Sequence, residues 1–146
     1  MTEKNKGTHK YLINTVDKVS SPNFSMNPAE LHKFIPENEE FTIKRVYWIA
    51  NPINEKKSGL HAHTDEDEIF IVIKGKALIV LDDNAEGPSK IQLNENNIVW
   101  VPRYVWHGFE ELSDDCIILA LTNTNYDPER KGYIQDYKTF KESLPK

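Results

Sequence analysis

Cysteine is nearly absent: Cys116 stands alone among 146 residues. No intramolecular disulfide can form, so the chain reads as one meant for a reducing compartment. The apolar neighbours Ile117-Ile118-Leu119 mark that thiol as a buried structural one. Basic residues are outnumbered, 18 against 23 acidic, for a net charge of −5. That balance argues against non-specific nucleic-acid binding, which needs basic patches. It leaves room for a nucleotide held by a few local arginines. No stretch approaches the ~20 consecutive apolar residues that span a bilayer. The Met1–Gly7 start has no apolar core of the signal-peptide kind. Internal repeats and low-complexity segments are missing too. The expectation is a soluble, cytoplasmic, single-domain protein over 1–146, with no membrane or nucleic-acid partner.

What the chain does have is a series of short apolar runs cut by turn residues. Residues 1–10 are polar and expected to be poorly ordered, and Tyr11-Leu12-Ile13 with Val16 could start a first strand. Pro22, Pro28 and Pro36 predict a loop with at most a turn of helix near Ala29 to His32. From Phe41 a period-two pattern sets in: Phe41, Ile43, Arg45, Tyr47 and Ile49 share one strand face, so Arg45 and Tyr47 point the same way. Ile69–Ile73 and Ala77–Leu81 flank Lys74-Gly75-Lys76, the signature of a hairpin. Further strands are expected at Ile91–Leu93, Ile98–Val101 and Cys116–Leu121. Seven or eight such strands suggest a sandwich or barrel over about 40–125. Tyr133, Ile134, Tyr137 and Phe140 recur at three to four residues, which predicts a short amphipathic helix within about 130–143.

The chemistry gathers in Gly59-Leu60-His61-Ala62-His63, with Glu68 and Gly75 behind it and Pro102 and His107 further on. In an extended segment His61 and His63 project from one face. Two reactions suit such residues. His61, His63, Glu68 and His107 could together hold one divalent transition metal, since neutral imidazoles and a carboxylate make a ligand set for Zn, Fe, Ni or Cu. Alternatively His61 and His63 form a metal-free acid–base pair, because imidazole titrates near neutral pH. Tyr47 could then donate a hydrogen bond to a developing oxyanion, and Arg45 could hold a phosphate bidentately. The plainer readings are a surface ion pair for Arg45 and a core aromatic for Tyr47. Trp106 and His107 are candidate substrate contacts, whereas Trp100 reads as core. Asp65-Glu66-Asp67-Glu68 reads as a solvated turn from which only Glu68 is singled out by its offset, and Asp114-Asp115 as another turn. His9 and His32 fall outside any pattern.

The G-x-H-x-H…E…G and P…H spacings are those of the two cupin motifs. The residues Lys44-Arg45-Val46-Tyr47, His61-Ala62-His63, Leu81-Asp82-Asp83, Val105-Trp106-His107, Asp115-Cys116 and Tyr126-Asp127…Tyr133-Ile134 carry a narrower likeness. Together they resemble the cupin-fold sugar 3,4-ketoisomerases, the WxcM-like proteins acting on dTDP-4-oxo-6-deoxyglucose. That resemblance implies an all-β double-stranded β-helix (a jelly roll) with a short C-terminal helix, assembled as a homodimer. It implies a cytoplasmic isomerase that takes a nucleotide-sugar substrate without a metal, in deoxyamino-sugar biosynthesis for surface polysaccharide. The residues matching His61 and His63 would transfer the proton, and those matching Arg45 and Tyr47 would line the pocket. The chain departs from the pattern at Ser58 and near Asn27, where arginines are expected. It departs again at Glu68, where glutamine is common, and at Gly108-Phe109 after Trp-His.

Overall fold

A computed structural model describes residues 12–15 (backbone only), 40–50, 52, 56–85 and 87–143. The strands in chain order are β1 (Leu12–Thr15), β2 (Arg45–Ala50), β3 (Ser58–His63), β4 (Glu68–Lys74), β5 (Ala77–Asp82), β6 (Ser89–Leu93), β7 (Asn97–Val101), β8 (Trp106–Glu110), β9 (Ile117–Thr122) and β10 (Tyr133–Ile134). One helix, α1 (Tyr137–Ser143), follows. They form two five-stranded antiparallel sheets, ordered β1-β7-β4-β9-β2 and β10-β3-β8-β5-β6. This is the expected jelly roll, with the core between the sheets. Its first described strand, β1, lies well before residue 40, so the barrel draws on more of the chain than the span 40–125. The expected turn near Ala29 to His32, together with His9, His32 and Asn27, lies outside the described residues.

Strand alternation decides what faces the interior. Phe70 and Val72 of β4, Val99 and Val101 of β7, Ile118 and Ala120 of β9, and Ile79 and Leu81 of β5 fill the space between the sheets with Phe109. The opposite face of the first sheet buries a second cluster of Ile69, Ile71, Ile98, Trp100 and Leu121. Burial on both faces is why β4, β7 and β9 read as continuous apolar runs. Trp100 and Cys116 are core residues, 2% and 0% exposed, and Asp114-Asp115 is a turn, all as the sequence implied.

Two expectations are corrected. β4 and β5 are not a hairpin: β4 pairs with β7 and β9, whereas β5 pairs with β6 and β8. Gly75 turns the chain from one sheet into the other, at φ 74. A Cβ there would lie 2.9 Å from the Cys116 Cα and meet the Ser113 hydroxyl as well. The corner is therefore closed by glycine's missing side chain. The second correction is at the C-terminus, where the helix begins only at Tyr137. Tyr133 and Ile134 are strand β10, paired with His63 and Ala62 of β3. Asp136 starts the helix by accepting hydrogen bonds from the Thr139 backbone N–H and hydroxyl at 2.8 Å, so an N-cap sits inside the supposed periodic stretch.

A bulge shapes the site-bearing strand. The β3–β8 register shifts between Gly59 and His61, with Leu60 at φ 73. After the bulge His61 sits opposite His107. Gly108 accommodates it, since a Cβ at that position would lie 2.5 Å from the Leu60 backbone nitrogen. We expect Gly108→Ala to destabilise the fold by about 1–3 kcal/mol, the usual penalty of forcing atoms into a packed contact. A urea titration with an unchanged m-value would register it, and an unchanged midpoint would refute the close approach.

Candidate active site

The two sheets enclose a cleft of about 580 Å³ open to solvent, walled by Arg45 and Tyr47 of β2, His61 of β3, His107 of β8, and Tyr126, Arg130 and Tyr133 from the C-terminal segment. Period-two alternation brings Arg45 and Tyr47 here: with Ile49 they are the inward residues of β2, as predicted. Val46 and Trp48 point outward, 50% and 68% exposed. Trp106 is the exception. On β8 it alternates with His107 and so faces away from the cleft, packed on Tyr137 and Phe140 with ring centroids 5.2 and 5.6 Å off. The expectation that it contacts substrate is corrected accordingly.

At the floor of the cleft the four residues of the cupin motifs converge. One ligand-type atom from each of His61, His63, Glu68 and His107 lies within 4.8 Å of all the others. Glu68 is the hub. Its Oε1 accepts a hydrogen bond from the Tyr47 hydroxyl at 2.8 Å, and its Oε2 lies 2.8 Å from His107 Nε2 and 3.4 Å from His63 Nε2. The other nitrogen of His107, Nδ1, faces the Val105 carbonyl at 3.0 Å. An acceptor at each nitrogen favours the doubly protonated form of His107. Burial alone would lower its pKa, yet the bond to Glu68 prevails and raises it. Burial alone would raise the Glu68 carboxyl, but the hydrogen bonds and charge of His107 and His63 hold it below the ordinary carboxylate range. The result is a buried ion pair at the base of the cleft.

His61 is treated in the opposite way. Burial, reinforced by the charge of His107 and then His63, pushes its pKa down to about 3, so it stays neutral at working pH. It stacks on Tyr133 at 5.1 Å, and its Nε2 lies 3.0 Å from His63 Nε2. His63 lies behind it, 2% exposed and off the cleft wall. Burial, then Glu68, raises the Tyr47 hydroxyl pKa, so the phenol keeps its proton and works as a donor.

The acidic run holds the main surprise. Glu66 and Asp67 are each 3% exposed, not solvated. Glu66 Oε1 takes the Arg45 guanidinium at 2.8 Å and the Thr124 hydroxyl at 2.6 Å, while Oε2 approaches His63 Nε2 at 3.0 Å. Asp67 accepts from the Arg103 backbone and side chain and from Asn123, tying three loops together. Arg45 is thus an ion pair at the edge of the cleft, a site feature as well as a bridge. The one sequence signal for Glu66 and Asp67 was the run's direct entry into the apolar strand β4. Tyr133, Tyr126 and Arg130 were not singled out for the site either. For Tyr133, the helical periodicity of its segment hid the strand. Ser58, standing where the family pattern carries arginine, lines the same cleft without a charge.

The family described as WxcM-like, C-terminal (FdtA) matches residues 9–144. The chain belongs to it. A TDP-4-oxo-6-deoxy-alpha-D-glucose-3,4-oxoisomerase of Aneurinibacillus thermoaerophilus is 31% identical over 130 residues, 88% of each protein. Among solved structures, the TDP-fucose-3,4-ketoisomerase WlaRA of Campylobacter jejuni is 31% identical with a TM-score of 0.74, covering 94% of this chain and 97% of its own. A 3,4-ketoisomerase of Helicobacter canadensis is 28% identical with a TM-score of 0.75, covering 91% and 96%.

Proposed function

We propose that this WxcM-like chain is a dTDP-sugar 3,4-ketoisomerase, moving the keto group of dTDP-4-oxo-6-deoxyglucose from C4 to C3. The observation that carries the reading is His61 facing the cleft, 3.0 Å from His63 and beside a buried Glu68–His107 pair bonded at 2.8 Å. The C3–H bond breaks as its proton passes to the His61–His63 pair, leaving a C3–C4 enediolate whose charge on the C4 oxygen needs hydrogen-bond donors nearby. A proton returned to C4 and transfer of the C3 hydroxyl proton to the C4 oxygen give the 3-oxo sugar, with no net change in composition. Tyr47 supports the transition state as a protonated donor, and Arg45, held by Glu66, shapes the substrate side of the cleft. The relatives' activities, on TDP-linked oxo-sugars, support the substrate class.

The enzyme acts in the cytoplasm as a homodimer, supplying 3-oxo sugar for amination on the way to surface polysaccharide. The outer face of edge strand β2, where Trp48 and Val46 stand exposed, is a surface that a second copy would cover. Among the described residues no helix is long and apolar enough to cross a membrane.

Convergence of four donor atoms within 4.8 Å favours a second reading, a metal-dependent cupin centred on His61, His63, Glu68 and His107. One experiment separates the two. Incubation with dTDP-4-oxo-6-deoxyglucose in D₂O is followed by proton NMR, with and without a chelator. We expect deuterium at the exchanging carbon, formation of the 3-oxo sugar, and no effect of the chelator. Exchange abolished by chelator and restored by a transition metal would establish the second reading. No exchange at all would sink the ketoisomerase.

A further inference from the structure

Two guanidinium groups line the cleft, and they are not equivalent. Arg45 is neutralised by Glu66 at 2.8 Å. Arg130 lines the same cleft with no carboxylate in ion-pair range among the described residues; its guanidinium lies over the Tyr133 ring at 5.4 Å, and its charge reaches His61. The carboxylates closest in sequence are already engaged. Glu129 pairs with Lys131 at 2.6 Å, and Asp127 accepts the backbone N–H groups of Glu129 and Lys131 at 2.9 and 3.0 Å.

The backbone is arranged to hold this cation in place. Arg130 sits at φ 52, a left-handed conformation that a non-glycine residue adopts at some strain. Its N–H donates to the Asp127 carbonyl at 3.1 Å and its own carbonyl accepts from the Tyr133 N–H at 3.1 Å, so both sides of the residue are fastened. The turn leads straight into β10, whose Tyr133 stacks on His61. An uncompensated guanidinium, preorganised over an aromatic face at the wall of a cleft in a protein of net charge −5, marks a place for an anion. An arginine fork matches phosphate oxygens two at a time.

We propose that Arg130 binds the diphosphate of the nucleotide-linked sugar and thereby anchors the substrate in the cleft. The proposal rests on the nucleotide-sugar reading above and adds a residue to it. Calorimetric titration of TDP, and of thymidine as the phosphate-free control, tests it on wild type, Arg130→Ala and Arg130→Lys, with turnover measured alongside. Loss of a charge-assisted phosphate contact weakens TDP binding about 10- to 100-fold in Arg130→Ala. Thymidine binding stays within about twofold, KM for the sugar nucleotide rises, and kcat holds within about threefold. Arg130→Lys recovers part of the loss, because it keeps the charge without the fork. TDP affinity in Arg130→Ala within twofold of wild type overturns the proposal, even if the sugar is isomerised. Arg130-dependent TDP binding without turnover of any oxo-sugar upholds the subsite and rejects the ketoisomerase. Failure of the wild-type chain to bind TDP rejects both.

Discussion

Replacing His61 by Asn lowers turnover of dTDP-4-oxo-6-deoxyglucose by about 10²- to 10⁴-fold, the usual contribution of a positioned proton-transfer group. Asparagine keeps the polarity and roughly the bulk of the side chain but cannot take up a proton. KM stays within a few-fold, because the cleft wall is otherwise intact. This pattern is the reverse of the one expected for Arg130→Ala. Single-turnover kinetics, or the rate of deuterium entry in D₂O, reads it directly. A loss below tenfold would remove His61 from the chemistry. The pH profile gives an independent view. A free histidine would lose its lone pair below its ordinary value of 6.5, but His61, depressed to about 3, keeps it. The acid limb of kcat/KM near pH 6.5 that a free imidazole would cause should therefore be missing. Stability moves with pH too: the unfolded state takes up the His61 proton below 6.5 and the folded state does not, so this group makes the fold less stable as pH falls from 6.5 toward 3.

Glu68→Leu should be the most damaging single substitution for stability. Glu68 is 1% exposed and serves Tyr47, His107 and His63 at once. Removing one partner of a buried ion pair leaves the other uncompensated, at about 3–5 kcal/mol. For a chain of this size that lowers Tm by roughly 6–20 °C. Glu68→Gln retains a hydrogen-bonding side chain and should lose less. The sign of the pH dependence follows from the directions of the shifts. Glu68, depressed on folding, contributes stability that is complete above its ordinary value of 4.5 and drains away as pH falls toward its lower folded value. His107, raised on folding, contributes stability that is complete below 6.5 and is lost as pH climbs through its raised folded value. The gap between wild type and Glu68→Leu, read by thermal melts, should therefore be widest between those limits and narrow below pH 4.5. A gap independent of pH would mean that Glu68 is held by packing alone.

Much of the floor of this site could be read from spacing. Period two placed Arg45 with Tyr47 and His61 with His63, and offset alone separated Glu68 from its acidic neighbours. What spacing cannot convey is which strand a strand pairs with. Two apolar runs around a glycine look the same whether they zip together or part into different sheets, and Gly75 does the second. Nor does local polarity reveal burial. Glu66 and Asp67 resemble a solvated turn until Arg45 and Arg103 arrive from 21 and 36 residues away. Tyr133 and Trp106 were misjudged for a related reason: a three-residue rhythm at the C-terminus hid a two-residue strand, and a tryptophan next to a functional histidine was assumed to share its side.

The sheet connections also bear on how the protein reaches its native state. Tyr47 meets Glu68 across 21 residues and Glu68 meets His107 across 39, while Leu12 of β1 must find Trp100 of β7. Pairings this remote in sequence have to close large loops before they return any energy, which places such topologies among the slower folders, in milliseconds to seconds. The ion pair at the base of the cleft joins β4 of one sheet to β8 of the other, so a partly assembled chain with a single sheet has two isolated ionisable groups where the finished one has a bonded pair. Catalytic competence therefore arrives late and all at once, with the docking of the sheets, and no fragment of the barrel inherits a share of it.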